Sequence, residues 1–166
     1  MATPNRPLID LLRTAASRLE AGTRYSWGHA GQCNCGHLAQ AATGLSSGEI
    51  HRRMLTQAHE RSLHRGEWSE HAEAYCGDSG MDVEFIFEAL MEVGLETKDI
   101  SHLEYLSDPA VLSRLPGGRR DLQRNDRADA VAYMLAWAEV LEGQLKAKQL
   151  GKKRRVRKAS PELEFA

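Results

Sequence analysis

The sequence predicts an all-α fold: a compact single-domain bundle of about five to seven helices, short and long, with a disordered basic C-terminal tail. Three observations predict it. Apolar residues recur at helical spacing along most of the chain, capping residues and glycines punctuate those stretches, and no stretch alternates apolar and polar residues between turns as a strand would. A chain of 166 residues is about one domain. We place that domain at residues 1–150 and the flexible basic tail at 151–166.

The first helix is carried by Leu8, Leu11, Leu12, Ala15 and Leu19, and Gly22 closes it. A loop, TRYSWGHAGQCN, follows. Asn34 is a suitable N-cap for a short helix from about Cys35 to Gly44. Ser46 and Glu49 have capping-box spacing ahead of a helix through His51, Leu55 and His59. A further short helix is expected from Ser69 to Cys76, stopped by Gly77. The segment Met81 to Val93 reads as amphipathic, with Val83, Phe85, Ile86, Leu90 and Val93 on its apolar side and Gly94 as its terminator. Asp99 and Asp108-Pro109 mark the starts of two short helices, since proline is tolerated in a first turn. The last long helix starts near Asn125 and carries Ala128, Val131, Leu135, Ala138, Leu141 and Leu145.

Composition narrows the function classes. The chain is 42% hydrophobic, 27% charged and 6% aromatic, which is globular usage. Its formal net charge of -1 hides an asymmetry. Lys152, Lys153, Arg154, Arg155, Arg157 and Lys158 crowd the tail, so the body up to Gly151 is acidic. An acidic body argues against a nucleic-acid-binding domain, and only weak contact with nucleic acid through 152–158 is expected. No secretory signal or membrane-spanning run is visible, so no membrane partner is expected. Three cysteines, an odd number, suit a reducing compartment, and the expected location is cytoplasmic.

Chemistry concentrates between Tyr25 and Gln40. This stretch holds Cys33, Cys35, His29 and His37 in a glycine-rich loop that feeds a helix, where backbone N–H groups and a positive dipole end converge. One use is a metal site. The C-x-C pair Cys33 and Cys35, with Cys76 and one of His29, His37 or His71, would complete the thiolate and imidazole set that zinc favours, and zinc is expected ahead of iron. A second use is nucleophilic, with Cys35 in the first helical turn, where thiolate character rises. In the third account the cysteines pack as small hydrophobes, His29 and His37 bond around a tight turn, and Tyr25 and Trp27 anchor the core.

The words Tyr25-x-Trp27-Gly28 and Asn34-Cys35-Gly36-His37-Leu38 resemble the nucleophile region of the NlpC-type cysteine peptidases, where Y-x-W-G leads to D-C-S-G-L and the cysteine opens a helix. The resemblance covers about 16 residues, with Asn34 and His37 standing where the family has other residues. It implies Cys35 as nucleophile and a histidine base on a strand of a following sheet. In this chain the base would be His71 or His29.

A second dense patch, GEWSEHAEAYCGDSG, sets His71 and Tyr75 four residues apart on one helical face with Cys76 just beyond. A contact between this patch and Cys35 would make one polar pocket of the two. The string Gly77-Asp78-Ser79-Gly80 matches the serine region of chymotrypsin-like proteases, but a helical chain cannot supply their β-barrels. No H-E-x-x-H and no Glu-x-x-His pair occurs. Glu84, Glu88 and Glu92 share one solvated helical face, and His51, His59, His64 and His102 show no ligand spacing. The expected protein therefore binds a metal ion or small polar ligand at its Cys/His loop–helix site. The alternatives are a thiol hydrolase or transferase acting through Cys35, and a non-catalytic interaction module with a protein partner.

Overall fold

The computed structural model describes residues 2–63 and 83–159. Among these residues the chain is helical and contains no strand. Its helices are α1 (Arg6–Glu20), α2 (Asn34–Thr43), α3 (Ser47–Leu63), α4 (Glu84–Glu92), α5 (Thr97–Tyr105), α6 (Pro109–Leu112) and α7 (Arg127–Ala159), with a 3₁₀ turn at Pro116–Gly118. The helix expected at Ser69–Cys76 lies outside the described residues.

Helix starts follow local chemistry. Asn5 caps α1, its Oδ1 accepting the Leu8 N–H at 2.8 Å. Ser46 and Glu49 cap α3 reciprocally: Glu49 Oε2 accepts the Ser46 N–H at 2.8 Å and Ser46 Oγ the Glu49 N–H at 3.3 Å. Asp108 accepts the N–H groups of Ala110 and Val111 ahead of Pro109, and Asp126 accepts that of Ala128 at the start of α7. Helix α5 begins two residues before Asp99. This aspartate sits at the third helical position, and its carboxylate reaches back to the Glu96 N–H at 2.9 Å.

The most extensive packing joins α1 to α7. Leu8, Ile9, Leu12, Ala15, Ala16 and Leu19 form the buried stripe of α1, and Tyr133, Met134, Trp137, Ala138 and Leu141 form that of α7. Each large side chain fully buried here stabilises the fold by roughly 1.5–3 kcal/mol. Side chains from all seven helices join the same hydrophobic cluster. Helix α7 continues past its apolar stripe and past Leu150 to Ala159, with Leu150, Gly151 and Lys152 exposed. No helix among the described residues is long and apolar enough to cross a membrane.

Helix α2 positions the site. It is only ten residues long, yet it touches α1, α3, α4 and α5. Its first turn, Asn34 to His37, is consequently buried.

Candidate functional site

The loop before α2 is built from successive tight turns. The Ser26 N–H donates to Gln32 O, the His29 N–H to Ser26 O, and the N–H groups of Gln32 and Cys33 both to His29 O. Gly28 and Gly31 supply the positive φ values of 82° and 89° that these turns require. Gln40, nearly two turns along α2, donates its side-chain N–H to Gly31 O at 2.6 Å. The loop is thereby fastened to the helix it feeds.

The structure moves the start of α2 by one residue, and this changes the role of each thiol. Cys33, not Asn34, is the N-cap: its Sγ accepts the Gly36 N–H at 3.4 Å. Cys35, the expected nucleophile in the first helical turn, turns inward. It is 7% exposed, and its thiol donates to Ile100 O at 3.8 Å. Cys33 is the more exposed of the two.

Asn34 is released from capping and bonds across the fold. Its Nδ2 donates to Leu103 O at 3.1 Å and to Glu104 O at 3.2 Å. Both amide hydrogens are thus committed, which fixes the amide orientation and turns Oδ1 toward Tyr25, whose hydroxyl lies 2.6 Å away. The same hydroxyl also reaches Arg124 O. Burial raises the Tyr25 phenol above its ordinary value of 10.0, and the neighbouring Cys33 and Cys35 raise it further. It stays a neutral donor throughout the physiological range.

These residues border a cleft between α2, α4 and α5. Trp27, Cys33, Cys35, Val83, Ile86, Phe87 and the carboxylate-bearing Glu104 line it. Its volume is about 40 Å³, room for about three water-sized groups. The walls are mostly apolar. Arg124 stacks outside this wall, its guanidinium 3.8 Å from the Trp27 ring and 5.0 Å from that of Tyr105.

The structure brings together only part of the expected ligand set. Cys33 and Cys35 line one cleft. His37 lies behind it, 1% exposed, with its Nε2 donating to Arg24 O at 3.0 Å and its ring stacked near Tyr25. Its imidazole is held below its ordinary value of 6.5, chiefly by burial. His29 faces α3, where its ring lies 5.7 Å from that of His51. Cys76, His71 and Tyr75 lie outside the described residues, as does the proposed contact between their patch and Cys35. Among the described residues, no group of three or more His, Cys, Asp or Glu side chains could hold a metal ion. Nor is there a strand among them to carry the sheet-borne histidine that the peptidase resemblance implies.

Glu104, Arg124 and the His29–His51 contact are absent from the sequence reading. Each depends on segments far apart in the chain, and none carries a local pattern. Comparisons with protein-family models, curated proteins and solved structures find no match for this chain.

Proposed function

We propose that the protein binds a compact small ligand in the cleft between α2, α4 and α5, with the Cys33 thiol as its point of contact. The observation that carries this reading is the position of Cys33: at the N-cap of α2, its sulfur accepts a backbone N–H and borders the cleft. A helix N-terminus is the setting in which cysteines become nucleophiles and soft ligands. The apolar wall and small volume favour an occupant of a few non-hydrogen atoms over a large or highly charged one. In a thiol enzyme built on this cleft, Cys33 and not Cys35 would be the nucleophile.

The test is peptide-mapped alkylation of the folded chain by iodoacetamide, with and without small uncharged candidate occupants. Cys33 is expected to react well before Cys35 and to be protected by an occupant of the cleft. Prior or equal reaction at Cys35 would overturn the reading.

A second reading, zinc binding, draws support from the two cysteines that share this cleft. Zinc would need two further donors, for which Cys76 and His71 are the candidates by residue type. Metal analysis of untagged protein decides it: a full equivalent of zinc, lost on Cys33→Ser, supports the reading, and substoichiometric metal ends it.

A further inference from the structure

We propose that His29 and His51 form a separate site for a divalent transition-metal ion, independent of the cysteines. Nothing in their spacing along the chain suggests a pair; the fold creates it. Their ring centres lie 5.7 Å apart with planes inclined at 30°. Two imidazoles bound to one ion through metal–nitrogen bonds of about 2.0–2.1 Å place their ring centres roughly 4.5–6 Å apart. The observed separation falls within that range, so the backbone already holds the two rings at the spacing that one shared ion requires.

The hydrogen bonding of the two rings fits ligands. His29 Nδ1 lies 2.9 Å from Ala30 O. A carbonyl only accepts, so Nδ1 carries the hydrogen and Nε2 keeps its lone pair. A backbone carbonyl on the far nitrogen is the usual device for fixing the tautomer and aim of a metal-bound histidine. His51 Nδ1 is buried and has no hydrogen-bond partner among the described residues. A buried imidazole nitrogen left this way calls for an explanation, and a bound ion supplies one. Gln32 Oε1, on the turn that begins at His29, is a second buried acceptor without a partner among the described residues.

The pair is also held in place. The His29 turn closes through backbone bonds to Ser26, Gln32 and Cys33. It rests against the start of α3, where a Cβ on Gly31 would come within 3.0 Å of Ser47 O. His51 lies one turn further along that helix. His29 itself is exposed, so water can complete the coordination shell. Imidazole donors suit copper, nickel and zinc, with copper bound most tightly.

The test titrates the full-length chain, under reducing conditions, with Ni²⁺ and with Zn²⁺, and follows the histidine ring resonances by ¹⁵N NMR. One saturable equivalent of Ni²⁺ is expected to shift the His29 and His51 rings first, through Nε2 of His29. His29→Ala and His51→Ala should each weaken that binding at least tenfold, while His102→Ala and Cys33→Ser should retain it. Ring resonances of His29 and His51 that stay fixed while others move would overturn the proposal, as would Ni²⁺ binding unchanged by His29→Ala. Loss of the Ni²⁺ site on Cys33→Ser would move the ion to the thiol cleft and also overturn it. The spectra of the unaltered chain and the exposed-loop variant His29→Ala decide the matter even where His51→Ala folds poorly.

Discussion

Gly36, in the first turn of α2, lies directly against the backbone of Gly31: a Cβ at position 36 would stand 2.4 Å from the Gly31 carbonyl carbon. The contact joins the His29–Cys33 turn to the helix that carries Cys35, and neither side is a flexible side chain that could step aside. Gly36→Ala must therefore push the turn away from α2. The cost expected for such overpacking is about 1–3 kcal/mol, read as a lower urea midpoint. The same displacement should expose Cys33 and quicken its alkylation. An alanine variant as stable as the parent, with unchanged Cys33 reactivity, would show that the turn yields freely.

Asn34 saturates two carbonyls of α5 and one phenol at once, so its removal strands several buried groups. Asn34→Ala is expected to cost about 1–3 kcal/mol in urea unfolding, since Leu103 O and Glu104 O lose their donors. Asn34→Asp should be worse. A carboxylate facing those carbonyls replaces donors with a buried charge, although aspartate is the residue that the peptidase resemblance puts there. Tyr25→Phe should show coupling to Asn34→Ala in a double-mutant cycle, because the two share the 2.6 Å bond. Strict additivity would mean that the shared bond contributes nothing.

How far the sequence was legible follows from the range of each interaction. The caps at Ser46 with Glu49 and at Asp108-Pro109 could be read directly, because each is made with N–H groups two or three residues away. The apolar stripes of α1 and α7 were legible for a similar reason, since periodicity reports burial without naming the partner. At the site, the local capping signal points one residue beyond the true N-cap. Both Cys33 and Asn34 can cap a helix; the carbonyls at the end of α5 claim the asparagine, and no local signal announces them. Position along the chain groups His29 with the nearby cysteines, whereas its neighbour in space is His51 on α3.

His37 makes stability depend on pH. Burial holds its imidazole below the ordinary value of 6.5, so below about that pH the unfolded chain takes up a proton that the folded chain resists. Its contribution is complete above pH 6.5 and declines as pH falls toward the depressed folded value. Unfolding free energy should therefore fall between neutral and mildly acidic pH. His37→Gln, which keeps a polar side chain but cannot titrate, should flatten that slope even though it is less stable at pH 7. An equal slope in the variant would assign the pH dependence to other groups.

Asp129 anchors the loop ahead of α7, whose Arg124 packs on Trp27 at the cleft. Its carboxylate, 4% exposed, holds the Arg119 guanidinium at 2.6 and 3.0 Å and accepts the Gln123 N–H at 2.7 Å. The next residue, Arg124, is the one stacked on Trp27. Arg119 is half-exposed and can rehydrate, so Asp129→Ala should cost about 1–3 kcal/mol, mostly through the stranded Gln123 N–H. Released from its anchor, the loop should let Arg124 leave Trp27, and alkylation of Cys33 should accelerate. Arg124→Ala separates the two effects: it removes the cation–π contacts with Trp27 and Tyr105, each worth about 0.5–1 kcal/mol at an exposed site, and it should likewise free Trp27. Should Asp129→Ala lower stability with no change at Cys33 while Arg124→Ala speeds its alkylation, the anchor and the stacking contact are independent, and the carboxylate serves the fold alone.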